Sequence, residues 1–84
     1  MSYFGDDEED DEIAMTPVAS SNVSAVGWKG SIAGEPVMRV EFLDGRVYRY
    51  PGVPQSVFQR VRDAASVGRE LRKLVIDTYP GEEE

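Results

Sequence analysis

Apolar and polar residues alternate most cleanly between Val37 and Leu43, where Met38, Val40 and Phe42 share one face and Arg39 and Glu41 the other. A period of two over that length predicts a strand with one buried face. Arg46 to Tyr50 supplies a hairpin partner, and the connection decides which side chains meet. A two-residue Asp44-Gly45 turn would set Arg49 beside Val40 and throw Tyr48 and Tyr50 onto the face of Arg39 and Glu41. A three-residue loop, Leu43-Asp44-Gly45 with Gly45 left-handed, instead pairs Phe42 with Arg46, Val40 with Tyr48 and Met38 with Tyr50. A one-residue slip moves a whole set of side chains to the other face, so the register that gathers Met38, Val40, Phe42, Tyr48 and Tyr50 is expected.

Upstream, Thr16 before Pro17 is pushed out of the helical region, and Met15 to Ser21 reads as an extended lead-in. Asn22 to Lys29 reads as the first strand, with Val23, Ala25 and Gly27 on one face and Val26 and Trp28 on the other. Gly30 to Pro36 is turn chemistry. Downstream, Pro54 suits a first helical position, and Val57, Phe58, Val61 and Ala65 fall on one helical face. Ser66 is a good N-cap for a second helix with an inward stripe of Val67, Leu71, Leu74, Val75 and Thr78, ended by Pro80-Gly81. The fold class expected is α+β, a three-stranded antiparallel sheet in the order β-β-β-α-α with two helices packed on one face.

Charge divides the chain of 84 residues into three. Residues 1–14 read as a disordered acidic tail around the run Asp6 to Glu12, residues 15–80 as the single domain, and residues 81–84 as an acidic C-terminal tail. The ten acids of the tails leave nine cations and six acids in between, so a formal net charge of −7 hides a body of +3. Neither cysteine nor histidine is present, which removes disulfides, thiol nucleophiles, the usual general base and the commonest metal ligands. No catalytic residue, metal site or cofactor is expected, and the chain does not read as an enzyme. No apolar run approaches the roughly 20 residues of a membrane span, and the acidic N-terminus is unlike a secretory signal. A cytoplasmic protein without a membrane partner is expected. A body of about 65 residues is marginal for one core, which predicts a homo-oligomer.

Four groups of residues carry candidate chemistry. Ser66, Gly68 and Arg69 combine a hydroxyl, a glycine that permits close approach and a guanidinium at a helix start, the composition of a phosphate cradle, although capping alone also explains Ser66. Arg72 belongs with Arg60, Arg62 and Lys73 to a basic helical surface. Arg39 and Arg49 lie directly across strands on the outer sheet face, where like charges call for an anion: Glu41, a tail carboxylate or a phosphate. Trp28, Tyr48 and Tyr50 could stack on bases, but the chosen register turns both tyrosines toward the helices, and Trp28 serves equally as a core or interface residue.

Several of these residues recur in a known pattern. Pro17-Val18, Ser20-Ser21 and Ala25-Val26-Gly27 before an aromatic are followed by Val40-Glu41-Phe42, Asp44-Gly45, Tyr48-Arg49-Tyr50 and Gly52-Val53-Pro54. Ala65-Ser66, Gly68 and Tyr79 complete it. In this the chain resembles the KTSC domain, a short module named for its place at the C-terminus of some lysyl-tRNA synthetases and also found as free-standing small proteins. Trp28 stands where a tyrosine is usual, and Glu70 and Arg72 where an aromatic and an asparagine are common. The resemblance implies no enzymatic activity and a role in RNA binding. The expected function is a non-catalytic module for a phosphate-bearing ligand, whether RNA, an oligonucleotide or a cyclic nucleotide signal that a bacterial or phage accessory protein sequesters. The alternative is a protein-interaction or inhibitor module acting through the acidic tails.

Overall fold

A computed structural model describes residues 13–30 and 35–84. The acidic run Asp6 to Glu12 lies outside the described residues, as does most of the turn expected after Gly30. Among the described residues the elements are β1 (Met15–Pro17), β2 (Val23–Lys29), β3 (Val37–Phe42), β4 (Val47–Pro51), α1 (Gln55–Arg62), α2 (Val67–Leu71, continuing as a π-helical turn over Arg72–Ile76) and β5 (Glu82–Glu83). The α+β class stands, but the antiparallel sheet has five strands in the order β1-β2-β3-β4-β5 rather than three. The two extra strands come from stretches whose sequence signals are too short to carry a period: Met15–Pro17 pairs with Ala25–Gly27, and Glu82–Glu83 with Tyr48–Arg49. Ile13, placed in the N-terminal tail by its neighbours' charge, is buried.

The β3–β4 register is the three-residue-loop one, with Met38 opposite Tyr50 and Val40 opposite Tyr48. Phe42 N–H donates to Arg46 O at 2.9 Å and Gly45 N–H to Phe42 O at 3.0 Å. Gly45 sits at φ 97°, which a side chain would strain. Met38, Val40 and Tyr50 accordingly meet Phe58, Val61, Leu71 and Val75 in one core. Each such side chain is worth about 1.5–3 kcal/mol buried rather than exposed.

Three local expectations are corrected. Val23 joins Val26 in the core instead of opposing it, because a register shift between Val23 and Ala25 adds a residue to β2 and turns the strand over. Ala65 is exposed because α1 ends at Arg62, with Asp63 as its C-cap. Thr78 is also exposed, and Tyr79 packs on the core in its place. There the wide turn, closed by Asp77 N–H donating to Arg72 O at 2.9 Å, advances the inward face by one residue.

Candidate functional site

The two loops that end at the starts of β2 and α2 face each other. Ser20 builds the first. Its Oγ accepts from the N–H groups of Asn22 (3.3 Å) and Val23 (3.2 Å) and donates to Asn22 Oδ1 at 3.0 Å, locking residues 20–23 into a hydroxyl-closed turn. Gly68 lets the second come close: a Cβ there would lie 2.8 Å from Asn22 Oδ1 and 3.6 Å from Ser20 Oγ. Between them runs a groove of about 560 Å³. Ser20, Ser21 and Asn22 line one wall; Ser66, Gly68, Arg69 and Arg72 line the other. Arg69 and Arg72 are exposed and three residues apart, which puts both on the groove side of the helix. A second hollow of about 380 Å³ shares the Arg69 wall and adds Arg60.

Ser66 occupies the N-cap position, with φ −126° and ψ 96°, but its hydroxyl makes no capping bond. The capping role expected from its residue type is therefore not realised. Arg62 is taken up elsewhere: its Nε and Nη2 donate to the carboxylate of Asp63 at 2.9 and 3.0 Å, and its guanidinium lies 5.4 Å from the Phe58 ring centroid. That hydrogen-bonded pair holds the Asp63 carboxyl below its usual range.

The other predicted site residues lie in separate places. Trp28 is half-buried against the core, and its Nε1–H donates to Val53 O at 2.8 Å. Tyr50 is buried and Tyr48 half-buried, their rings stacked at 6.3 Å, with Phe42 edge-on to Tyr48 at 5.8 Å. These rings border a small hollow with Asp44, Arg46 and Ile76. Burial, reinforced by Tyr48, pushes the Tyr50 phenol above its ordinary value. Arg39 and Arg49 are cross-strand neighbours on the outer face, where a tail carboxylate meets both. Arg39 Nη2 donates to Glu84 Oε1 at 2.8 Å, and Arg49 Nε lies 3.6 Å from Glu84 Oε2.

The structure thus gathers Ser66, Gly68, Arg69 and Arg72 and leaves Trp28, Arg39, Arg49, Tyr48 and Tyr50 apart from them. Sequence reasoning missed Ser20, Ser21 and Asn22 as groove residues because the two serines are adequately explained as turn formers and Asn22 reads as the first residue of a strand. For Ser20 and Ser21 the signal was membership of the same recurring pattern as Ala65-Ser66 and Gly68; Asn22 carried none. Among the described residues no group of histidine, cysteine or acidic side chains could hold a metal ion, and no helix is long and apolar enough to cross a membrane.

A small antiparallel sheet with two helices on one face, and a polar groove where a serine turn meets the second helix, is the class of module that fold and groove define. The profile of the KTSC domain matches residues 19–79, from one wall of the groove to the end of the last helix, and the chain belongs to that family. It is 33% identical over 55 residues to an uncharacterized protein of Stutzerimonas stutzeri (strain A1501), a match covering 66% of this chain and 73% of that one. The crystal structure of a KTSC domain protein from Yersinia pestis superposes with a TM-score of 0.74 at 23% identity, covering 87% of this chain and 99% of the other. That likeness concerns the fold.

Proposed function

We propose that the protein is a non-catalytic binding module for a phosphate-bearing ligand, held in the groove between residues 19–22 and 65–72. The observation that carries the reading is the pairing of Arg69 and Arg72 on one wall with the Ser20–Asn22 turn on the other. Guanidinium forks match phosphate oxygens two at a time, and serine and asparagine side chains add neutral donors beside them. None of the described residues lining the groove is aromatic, so recognition runs through phosphate and sugar oxygens rather than through stacked bases. RNA, a short oligonucleotide or a cyclic nucleotide fits that chemistry. A protein of this size would act on such a ligand by holding it, which is sequestration rather than turnover.

Titrating isotope-labelled protein with a short RNA, a cyclic dinucleotide and inorganic phosphate, while following backbone amides, tests the assignment. Shifts centred on Ser20–Asn22 and Ser66–Arg72 that weaken with salt are expected. Shifts confined to another surface, or none with any of the three, would overturn it.

A further inference from the structure

On the outer sheet face, apart from the groove, the chain's own Glu84 carboxylate sits against an arginine pair. β5 has only two residues, both exposed, yet the segment is placed by several contacts. Glu82 lies opposite Arg49 and Glu83 opposite Tyr48, and Glu84 N–H donates to Val47 O at 2.8 Å. Gly81 passes so close to the Tyr50 ring that a Cβ there would run into it. Strand alternation puts Glu82 and Glu84 on the same side as Arg39 and Arg49. The Glu84 carboxylate then bridges the two guanidinium groups, which would otherwise repel across the strands. Arg39 Nε is buried without a hydrogen-bond partner, so the bridge leaves one guanidinium donor unused.

We propose that the β4 edge, with Arg39 and Arg49 beside it, is a docking site for an extended acidic peptide segment of a partner protein, and that Glu82–Glu84 is the internal segment that occupies it. The seated segment specifies what the site takes. Backbone groups pair with Val47 and Arg49, one acidic side chain reaches the arginine pair, and a second acid two positions before it shares the same face. This is strand addition at a sheet edge, with main-chain bonds supplying attraction and the arginines supplying selectivity. Because the internal segment is tethered, an outside peptide competes with it at a high effective concentration. Weakening the tethered acids should therefore open the site.

The test compares the full chain with its Glu82→Gln/Glu84→Gln variant, using a blocked tetraglutamate peptide at low ionic strength and following amide shifts. The variant is expected to bind the peptide about two- to fivefold more tightly than the unaltered chain, the gain that weakening a tethered competitor held by solvent-accessible ion pairs allows. The shifts should fall on Val47–Arg49. Adding Arg39→Gln and Arg49→Gln should abolish binding, and a Glu-Pro-Glu-Pro peptide, which lacks alternate N–H donors, should bind markedly more weakly. An unchanged amide spectrum away from β4 and β5 verifies that each variant is folded. No saturable binding by the glutamine variant, binding that survives loss of both arginines, or equal binding of a short oligonucleotide would overturn the proposal.

Discussion

Gly68 shows how one residue serves both fold and groove. Its missing side chain lets the helix start sit against Asn22, with Oδ1 only 2.8 Å from where a Cβ would be. Gly68→Ala is expected to cost about 1 kcal/mol or less, because only the exposed end of the Asn22 side chain, with its bond from Ser20, has to swing aside. Urea denaturation measures that cost, and an unchanged midpoint would mean that the turn yields freely. Trp28 supports the fold from within, its indole N–H closing on Val53 O at 2.8 Å. Trp28→Phe keeps most of the packing and strands that carbonyl, for an expected loss of about 1–3 kcal/mol in the same measurement. Tyr50 adds a pH dependence. Its phenol is raised above 10.0, first by burial and then by Tyr48, so the folded state favours the protonated form. That contribution is fully present below the ordinary value and is lost as pH rises through the raised one. Melting temperature should fall as pH climbs past 10.0, and the fall should be shallower in Tyr50→Phe.

At the scale of elements, long periodic stretches were legible and short or irregular ones were not. The β3–β4 hairpin could be read to the residue, because a single criterion, keeping Met38, Val40, Tyr48 and Tyr50 on one side, rejects the competing register. Val23 could not, since a bulge reverses facing and leaves no mark on an alternating pattern. The π-helical turn hid Tyr79 in the same way, by changing the period that the stripe was read with. β5 escaped because a run of glutamates looks like solvent-seeking tail. Its place depends on Arg39 and Arg49, one of them 45 residues away in sequence. The groove was half visible: Ser66, Gly68, Arg69 and Arg72 could be grouped along one helix, but no local pattern reports that Ser20–Asn22 faces them. β5 also makes a modest energetic prediction. Its ion pairs are solvent-accessible, so Glu84→Gln should reduce stability by only about 0.2–1 kcal/mol, a difference that high salt erases.

For the whole molecule, charge and fold work at different places. The cations are carried by the domain between Lys29 and Lys73, and the acids gather at its ends. One of those ends is folded back on the outer sheet face, where the Glu84 carboxylate bridges two arginines. Arg69 and Arg72, beyond that contact and exposed along the groove, are the pair on which the proposed function rests. The measurement that tests it most directly is thermal unfolding of the unaltered chain and of Arg69→Ala/Arg72→Ala with a saturating short RNA or cyclic dinucleotide. Ligand at about 100 times its Kd stabilises the native state by about 2.7 kcal/mol, which for a domain of this size raises Tm by on the order of 10 °C. The account predicts that rise for the unaltered chain and its loss in the double variant. An equal rise in both proteins, or none in either, would contradict it.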